Sequence, residues 1–583
     1  MILNSITGPE VLKDLSLDEL QQLAAEIRTA LIERISHHGG HFGPNLGLVE
    51  ATIALHYVFN SPVDKLVFDV SHQIYTHKML TGRVDSFLDP SKYDDVSGFS
   101  NFRESEHDCF VIGHTSTSIS LALGLAKARD LKSTNENIVA IIGDGSLSGG
   151  EALEGLNVAG ELNSNLIIVV NDNDMSIAEN HGGLYKNLKE LRESNGTSQN
   201  NLFKAMGLDY VFVPDGNDVE SLISAFALVK DTSKPIVVHI CTIKGKGYSH
   251  AENNKEQWHY AQPFTIETGE PLFSFSKESY GSITLDYLLT KMSEDNTVIN
   301  ITSGTPTIVG FTKDIREKHE NQFIDVGIAE GTAIALSSGI ARNGGKPVYS
   351  VFSSFIQRAF DQLSQDVCLN ETPVTILVHG ASVYGMSDAT HIGIFDIPLM
   401  SNIPNLVYLA PTCKEEYLAM LDWSIDQNSY PVAIRVPGNG VVSSPSTFDS
   451  DYSKINKYIL SRKGTKVAIL ALGSMFQLGE EIANRLNATL VNPRYITGLD
   501  IDILASLVDS HDLVVTIEDG ILDGGFGQKI ASFYGSTSVK VLNYGLNKEF
   551  YDRRNSDEVL KECRMTANQI IDDINKLQNQ QKI

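Results

Sequence analysis

Gly143-Asp144-Gly145-Ser146 and Asn171-Asp172-Asn173-Asp174-Met175-Ser176 each follow a run of apolar, mostly β-branched residues. These runs, at 138–142 and 166–170, have the length and composition of buried strands. In open parallel sheets, ligands bind beyond the carboxyl ends of the strands, so both polar stretches are expected to reach one crevice. The two stretches therefore predict a parallel α/β sheet with a ligand site at one edge.

The polar residues of these stretches suit a metal-bound diphosphate. Asp144 and Asn173 offer hard oxygen ligands, and Gly143 and Gly145 let backbone N–H groups approach a phosphate. Carboxylate, amide and phosphate oxygens are the ligands that Mg²⁺ prefers. A lone Gly-Asp-Gly is also a common turn, so two structural turns are the alternative. The second strand, with Asn-Asp-Asn at its end, favours the metal site.

Length and composition exclude several classes of protein. A chain of 583 residues is too long for one hydrophobic core, and roughly three to five domains are expected at ~100–200 residues each. Apolar residues make up 42% and charged residues 20%, which excludes disordered and fibrous proteins. The net charge of −26 disfavours nucleic acid and anionic membranes as partners. An anionic small substrate remains open, because glycine N–H groups, a metal and arginine act at short range.

The cysteines and the amino-terminal segment predict the compartment. The five cysteines show neither Cys-x-x-Cys nor a metal-ligand spacing, as in proteins with reduced thiols. The first residues lack a basic region followed by an apolar one. No apolar run approaches the ~18 residues of a membrane span. We expect a soluble, cytoplasmic protein.

Histidines occur in two early segments. A capping box at Ser16–Glu19 starts a long amphipathic helix, which leads into the glycine-rich segment Gly39–Gly43 around His41. Flanking glycines let the backbone approach a ligand that the imidazole faces, although a glycine turn with an incidental histidine is the alternative. His72 and His77 follow a strand-like run. Helical zinc pairs usually lie three or four residues apart with a third ligand nearby, so a metal site is disfavoured there.

Further polar segments surround the opening pair. The turn Gly113–Ser118 precedes a helical stretch at 119–126 and suits an anion at a helix N-terminus, although a simple Ser/Thr cap explains it equally well. Residues 178–201 are polar without strong periodicity, and we predict a mobile loop over the site. A strand at 235–240 then leads to Lys244 and His259.

The chain predicts three domains. A linker is expected at 261–277, where the pattern becomes polar with Pro and Gly. A second series of strands follows, at 347–352, 374–378, 406–410 and 432–436. After a polar interval at 437–453, a third series is predicted at 467–472, 488–491, 514–517 and 539–542. The predicted domains are 1–265, 278–440 and 453–583.

Several motifs occur together in the two large domains. They are Gly40-His41-Phe42, Asp69-Val70-Ser71-His72-Gln73, His77–Arg83, Gly113–Ser120, Ile328-Ala329-Glu330, Phe355–Gln362 and Thr390–Asp396. With the opening pair, and in this order, they resemble the 1-deoxy-D-xylulose-5-phosphate synthase family of the transketolase superfamily. The third domain resembles the family more loosely, through Glu518 and Gly524-Gly525-Phe526-Gly527.

This resemblance implies a fold and an activity. The fold would be α/β, with three doubly wound domains of transketolase type: diphosphate-binding, pyrimidine-binding and C-terminal. The cofactors would be thiamine diphosphate and Mg²⁺, in a homodimer. The enzyme would be a transferase of isoprenoid and thiamine biosynthesis. It would decarboxylate pyruvate and pass the two-carbon unit to an aldehyde, with glyceraldehyde 3-phosphate favoured, to give 1-deoxy-D-xylulose 5-phosphate.

The resemblance also implies residue roles. The metal ligands would be Asp144, Asn173 and the carbonyl of Met175. Cofactor contacts are implied for His72, Gly113, His114, Thr115, Ser116, Gly143, Asp144, Gly145, Ser146, Asn173, Met175, Ile177, Lys244, Glu330, Phe355 and Arg358. Catalytic roles are implied for Glu330, His41, His72, His259 and His391, and substrate contacts for Arg435, His391 and Arg358.

Each implied role has a physical reason and a plainer alternative. Glu330 would hydrogen-bond the aminopyrimidine, and a dry pocket would raise its pKa. Phe355 would stack on that ring, while histidines near neutral pKa would move protons. Alternatively, Glu330 is an ordinary helix N-terminal acid, Phe355 a core aromatic and the histidines structural. The coenzyme is expected between the first two domains, reached by Asp144 and Glu330.

The chain departs from the family pattern mainly in the half that would bind the acceptor. Gly331-Thr332 replaces Gln-His, and Ser387 replaces an aspartate, with Asp388 next to it. Gly380 replaces an arginine that would bind the acceptor phosphate, a charge-assisted bond worth about 1.5–3 kcal/mol. In the first domain, Pro44-Asn45 replaces small residues, and the loop after Ser176 is shorter.

These departures keep two other functions open. One is a related carboligase or transketolase with a different acceptor, either phosphorylated or unphosphorylated. The other is a cofactor-binding paralogue without catalysis, whose role would be protein interaction. An NAD-binding protein is a weaker alternative, because no Gly-x-Gly-x-x-Gly opens a helix after the first strand.

Overall fold

A computed structural model describes residues 1–273 and 278–580 of the chain. Contacts divide it into two compact units, Met1–Ser276 with Gly327–Ala329 and Lys277–Val326 with Glu330–Ile583. We call them unit 1 and unit 2. The end of the predicted linker, at 274–277, lies outside the described residues. The division into three domains at 1–265, 278–440 and 453–583 stays a prediction.

Unit 1 contains a five-stranded sheet of order β2-β3-β4-β6-β5, in which all neighbours are parallel. A short antiparallel pair, β1 with β7, lies apart from it. The strands are β1 (Gly40–His41), β2 (Lys65–Phe68), β3 (Ile138–Gly143), β4 (Leu166–Asp172), β5 (Asp209–Val213), β6 (Pro235–Cys241) and β7 (Tyr260–Ala261). The helices are α1 (Leu17–His38), α2 (Gly43–Gly47), α3 (Val49–Val58), α4 (Tyr75–Lys78), α5 (Asp85–Leu88), α6 (Ser118–Lys132), α7 (Asp144–Leu147), α8 (Gly150–Ala159), α9 (Gly183–Glu193), α10 (Leu202–Ala205), α11 (Val219–Val229) and α12 (Ser249–Asn253).

Both faces of this sheet are covered, as the doubly wound class predicts. Ile141 and Val169 belong to one buried apolar cluster, whereas Ile142 and Val170 belong to another. Successive residues of a strand point to opposite faces, so β3 and β4 bury side chains on both sides. The predicted capping box is present at the start of α1, where Ser16 and Glu19 satisfy each other's backbone N–H groups.

The segment predicted as a mobile loop, 178–201, contains the helix α9. Leu188 and Leu191 of this helix are fully buried. The prediction of a loop is therefore wrong for 183–193. The apolar residues at 184, 185, 188 and 191 have helical spacing, which was overlooked because glycine, serine and asparagine dominate both flanks of this short stretch.

Unit 2 contains two sheets, of order β12-β13-β11-β10-β8-β9 and β14-β16-β15-β17-β18. All neighbours are parallel except β14 with β16. The strands are β8 (Val298–Thr302), β9 (Phe323–Asp325), β10 (Lys346–Phe352), β11 (Thr375–His379), β12 (Val407–Leu409), β13 (Val432–Arg435), β14 (Ile459–Arg462), β15 (Lys466–Ala471), β16 (Thr489–Asn492), β17 (His511–Ile521) and β18 (Lys540–Leu546).

Helices cover these sheets on both sides. They are α13 (Tyr280–Glu294), α14 (Lys313–Lys318), α15 (Glu330–Arg342), α16 (Ser353–Ile356), α17 (Phe360–Gln362), α18 (Asp396–Met400), α19 (Lys414–Asp426), α20 (Phe476–Leu486), α21 (Ile501–Val508), α22 (Phe526–Tyr534), α23 (Ser556–Glu562) and α24 (Ala567–Gln580). One apolar cluster takes residues from both sheets, among them Val351 and Leu470, so the two sheets share a core. Among the described residues, no helix combines the length and apolar character needed to cross a bilayer.

Candidate active site

In unit 1 the two opening stretches meet where β3 and β4 end. The strands are parallel and in register, with Gly143 beside Asn171, so the residues that follow lie at one sheet edge. The Asp144 carboxylate accepts hydrogen bonds from the Met175 N–H at 3.1 Å and from Asn180 Nδ2 at 2.8 Å. The predicted convergence of Asp144 with the loop that carries Asn173 and Met175 is thus present.

These residues fit a bound Mg²⁺. Asn173 Oδ1 is buried and has no hydrogen-bond partner among the described residues, and buried acceptors of this kind normally have one. Burial, followed by the nearby Asp172 carboxylate, raises the pKa of Asp144, whereas a bound cation would favour its charged form. The donor set is carboxylate, amide and carbonyl oxygen, the hard oxygen ligands that suit Mg²⁺. Asp144, Asn173 and Met175 would hold the ion.

Asp69 positions the Gly113–Ser118 turn. Its buried carboxylate accepts the N–H groups of Ser116 at 2.7 Å and of Ser118 at 2.9 Å. Ser116 has a φ of 73° and donates its hydroxyl to the carbonyl of Ser146 at 2.7 Å. The turn containing His114, Thr115 and Ser116 is therefore tied to the Gly143–Ser146 loop. Sequence analysis quoted Asp69 only as part of a motif, because its partners lie far along the chain.

His41, His72 and His259 form a cluster in unit 1. The ring centroids of His41 and His72 are 4.9 Å apart, and His259 lies 5.7 Å from His41 and 5.1 Å from His72. The pairing of β1 with β7 places His41 opposite Tyr260 and so brings His259 close. Burial, followed by the charge of Lys244, lowers the pKa of His41 to about 4 and that of His259 well below its usual range. Both rings are therefore neutral at pH 7.

Asn45 explains one departure from the family pattern. It is fully buried, and its Nδ2 donates to the carbonyl oxygens of both His41 and His72 at 2.8 Å. Its Oδ1 accepts the N–H of Tyr75 at 3.0 Å. The side chain thus fixes the backbone of two histidines in the cluster, a role that one sequence alone could not reveal.

Lys244 links the histidine cluster to the loop that carries Asn173 and Met175. Its Nζ donates to the carbonyl oxygen of Ser176 at 2.6 Å and lies 3.1 Å from His259 Nδ1. Burial lowers the pKa of Lys244 to about 7. Ile177, which follows Ser176, is half-buried in the same loop. Residues Gly327–Ala329 group with unit 1, and the Ile328 N–H donates to Ser148 Oγ at 3.3 Å.

In unit 2, Glu330 is the first residue of α15 and is only 5% exposed. Arg358 Nη1 lies 3.9 Å from its carboxylate. Burial raises the pKa of Glu330 even though Arg358 opposes this shift. The environment matches the expectation of a dry carboxyl with a raised pKa, which a group that hydrogen-bonds a pyrimidine nitrogen requires.

Phe355 and His391 lie together in unit 2. Their ring centroids are 5.5 Å apart in an edge-to-face arrangement, and Phe352 packs on Phe355 at 5.7 Å. Both Phe355 and His391 are half-buried. Phe355 therefore packs at the margin of the apolar cluster rather than inside it.

Arg435 is held by carboxylates. Its Nε donates to Asp396 at 2.7 Å, and its Nη1 donates to Asp519. Tyr408 also donates its hydroxyl to Asp396. With two acidic partners for one guanidinium, this buried cluster carries no surplus positive charge. The predicted substrate contact of Arg435 stays a prediction, but the structure gives the side chain a different set of partners.

Two clusters lay outside the sequence analysis. Within residues 1–273 and 278–580, one group has metal-ligand geometry: Asp172, His239 and Cys241, whose ligand atoms lie within 4.8 Å of one another. Its carboxylate already accepts two bonds of 2.7 Å from Arg192 and one of 2.9 Å from His239. The Asp172 carboxylate therefore links β4 to α9.

The second cluster is centred on His77, which bonds His56 at 2.9 Å and Asp108 at 3.0 Å. A metal pair of His72 with His77 is therefore not formed.

The sequence is similar to curated relatives along its whole length. A 1-deoxy-D-xylulose-5-phosphate synthase from Alkaliphilus oremlandii is 38% identical, covering 99% of this chain and 98% of the relative. One from Shouchella clausii is also 38% identical, with 98% of each chain covered. Among solved structures, the transketolase from Leishmania mexicana is 16% identical over 97% of this chain and 98% of its own, with a TM-score of 0.44.

Family models match successive parts of the chain. The one described as 1-deoxy-D-xylulose-5-phosphate synthase matches residues 3–201 and 194–242. The transketolase pyrimidine binding domain matches 285–441, and the transketolase C-terminal domain matches 456–570. Together with the three parallel sheets, these matches confirm the predicted α/β, doubly wound fold of transketolase type. With relatives 38% identical over nearly all of both chains, this chain belongs to the 1-deoxy-D-xylulose-5-phosphate synthase family.

Proposed function

We propose that this protein is a thiamine-diphosphate-dependent transferase. It decarboxylates pyruvate and joins the remaining two-carbon unit to D-glyceraldehyde 3-phosphate, which gives 1-deoxy-D-xylulose 5-phosphate and carbon dioxide. Membership of the family supports the reaction. The product is a precursor for isoprenoid and thiamine biosynthesis.

One observation supports the cofactor most directly. Asp144 and the unpaired Oδ1 of Asn173 belong to two loops that hydrogen-bond each other at the end of a parallel sheet. A buried acceptor beside a buried carboxylate is costly unless a cation is bound. Mg²⁺ with the diphosphate of thiamine diphosphate satisfies both, and the Gly113–Ser116 turn and the Gly143–Ser146 loop offer N–H and hydroxyl groups to the diphosphate.

Glu330 of unit 2 is assigned to the pyrimidine ring. When bound, thiamine diphosphate supplies a nucleophilic carbon and the electron sink for the loss of carbon dioxide. Burial raises the pKa of Glu330, so its carboxyl would be suited to hydrogen-bond a nitrogen of the pyrimidine ring. Phe355 orients the ring by packing against it, and Arg358 limits how far the pKa of Glu330 rises.

The histidines handle substrate protons. The rings of His41, His72 and His259 are neighbours, and the lowered pKa values of His41 and His259 keep those two rings neutral and able to accept a proton. Lys244 donates toward His259 and fixes which ring nitrogen is available. His391 of unit 2 serves the substrate, and Arg358, whose guanidinium lies near Glu330, is the candidate cation for it. The substrate contact of Arg435 stays a prediction, and its guanidinium bonds the Asp396 and Asp519 carboxylates.

The assembly and compartment are part of the proposal. Members of this family are expected to act as homodimers, and we assign the same state to this chain. All five cysteines are free in the structure, which agrees with a reducing, cytoplasmic compartment.

The test is a product assay with the full chain. Protein, thiamine diphosphate and Mg²⁺ are incubated with pyruvate and D-glyceraldehyde 3-phosphate, and 1-deoxy-D-xylulose 5-phosphate and carbon dioxide are measured. Equal amounts of both are expected. Bound cofactor without carbon dioxide release from pyruvate, whichever aldehyde is added, would contradict the proposal and support a binding role without catalysis.

A further inference from the structure

Twelve buried polar atoms of unit 2 lack hydrogen-bond partners among the described residues, and three of these atoms belong to residues that the fold brings close together. They are Ser353 Oγ, His379 Nε2 and Ser382 Oγ, in residues that are 4%, 5% and 1% exposed. Buried polar side chains nearly always find a partner, and each exception requires an explanation. Three exceptions close together indicate a ligand that supplies the missing partners. We call these residues the β10–β11 polar cluster.

The register of the sheet brings the three residues together. Phe352 at the end of β10 lies beside His379 at the end of β11, so Ser353 and Gly380 follow side by side. Gly393 lies close to both residues, because a Cβ built on it would lie 2.9 Å from Ser353 Oγ and 2.4 Å from the Gly380 carbonyl oxygen. The Ser382 N–H donates to the Gly393 carbonyl oxygen at 2.7 Å. Ser353 and Ser382 therefore both adjoin Gly393.

The cluster adjoins residues assigned to cofactor and substrate. Phe355 follows Ser353 by two positions on α16, and His391 precedes Gly393 by two positions. The rings of Phe355 and His391 are 5.5 Å apart. The unpaired groups are thus next to the place in unit 2 where the substrate is expected.

The cluster carries no net charge. Burial lowers the pKa of His379 to about 4, so the imidazole is neutral at pH 7. Gly380 adopts a φ of 63°, a conformation that favours glycine, and provides no side chain. Arg435 on the neighbouring strand is matched by Asp396 and Asp519. Two hydroxyls and a neutral ring donate and accept hydrogen bonds, which suits an alcohol group better than a carboxylate or a phosphate.

We propose that the β10–β11 polar cluster binds a hydroxyl group of the aldehyde acceptor and so selects short hydroxyaldehydes over plain aldehydes. This inference rests on the proposed function, because an acceptor exists only if the protein is a carboligase. D-Glyceraldehyde 3-phosphate carries such a hydroxyl at carbon 2. A site built to hydrogen-bond a substrate hydroxyl rejects an analogue without it, because its own polar groups are then left unpaired.

The kinetic test compares three acceptors at saturating pyruvate: D-glyceraldehyde 3-phosphate, D-glyceraldehyde and propionaldehyde. We expect kcat/KM for D-glyceraldehyde to exceed that for propionaldehyde by about 100-fold or more. The double variant S353A/S382A should lose most of this ratio, and should slow D-glyceraldehyde and its 3-phosphate by the same factor. The control S424A removes another buried hydroxyl, one bonded to the Leu421 carbonyl oxygen within α19, and should leave the ratio unchanged.

Two results would overturn the inference. If the ratio of kcat/KM for D-glyceraldehyde to that for propionaldehyde is unchanged in S353A/S382A, the cluster does not bind the acceptor hydroxyl. A selective loss with the 3-phosphate alone would show that it binds phosphate instead. Melting curves of each variant report folding, and the single variant S382A repeats the test with one hydroxyl removed.

A binding measurement separates this inference from the proposed function. Saturation-transfer NMR with glycerol, an unreactive triol, is recorded on the protein without cofactor. A signal that S353A/S382A loses and S424A keeps would support the subsite even if no product were formed. A signal equal in all three proteins would overturn the subsite even if the product assay succeeded.

Discussion

The side-chain amide of Asn45 donates a hydrogen bond to the carbonyl oxygen of His72 at 2.8 Å. A second bond, to the carbonyl oxygen of His41, ties two chain segments of the histidine cluster to one buried residue. Two of the three histidines in the cluster are therefore held through their backbone.

Removing this amide should loosen the cluster. In N45A, three buried backbone groups lose their partner, at a cost of about 1–3 kcal/mol for each group left unsatisfied. We expect faster amide hydrogen exchange at Tyr75, whose N–H bonds Asn45 Oδ1, together with lower activity. The control N187A removes a half-buried amide on α9, which donates to the Asn200 carbonyl oxygen and accepts the Leu202 N–H. Unchanged exchange at Tyr75 in N45A would contradict this role.

Neutralising Asp144 should abolish binding of the metal-bound cofactor. Thermal melting of the wild type with excess Mg²⁺ and thiamine diphosphate should show stabilisation, about 2.7 kcal/mol at a hundred times the dissociation constant. D144N keeps the shape of the side chain but removes the charge that the ion needs, so this gain should disappear. D209N, at an exposed position on β5, is the control. A full gain in D144N would remove Asp144 from the metal site.

Glu330 should separate catalysis from binding. E330Q keeps a side chain of the same size but cannot share a proton with the pyrimidine, so we expect turnover to fall about 10²–10⁴-fold. Binding of thiamine diphosphate, measured by calorimetry, should stay largely intact. The control is E317Q, an exposed glutamate at the end of α14. Full activity in E330Q would exclude the assigned role.

Unit 1 should lose stability in mild acid. Burial first, then the neighbouring His77, holds the pKa of His56 well below its usual range, and burial lowers that of His77 as well. The unfolded chain therefore binds more protons once the pH falls below about 6.5. Each pH unit below about 6.5 lowers the free energy of unfolding by up to about 1.4 kcal/mol per histidine, which lowers the melting temperature by about 2–4 °C. H56Q should flatten this dependence, whereas H37Q, at an exposed position, should retain it.

Gly149 should tolerate no side chain. A Cβ there would lie 2.1 Å from Ser116 Oγ, so G149A must displace the turn that Asp69 holds. We expect lower stability and weaker binding of thiamine diphosphate. G124A is the matched control, because a Cβ in that part of α6 meets nothing within 4 Å. G124A should be neutral or stabilising by up to about 1 kcal/mol. Equal melting temperatures for the two variants would contradict the close approach.

The elements that the sequence predicted well depend on local signals. The strands β3 and β4 are continuous apolar runs, and the Asp144 and Asn173 loops follow them directly. The roles that escaped prediction depend on distant partners. Asp69 acts on Ser116, and Arg435 bonds Asp519 in a different sheet. The helix α9 was missed because it is short and its flanks are rich in glycine, serine and asparagine.

The ion cluster around Arg435 has a consequence for the last sheet. Asp519 belongs to β17, so the C-terminal sheet supplies one of the two carboxylates that neutralise an arginine on β13. A chain shortened before β15 would leave that buried guanidinium short of a partner, and losing one member of such a pair typically costs 3–5 kcal/mol. No residue predicted to contact cofactor or substrate lies in this sheet. Its removal would nevertheless leave a buried positive charge on β13, the strand that pairs with β11 of the β10–β11 polar cluster.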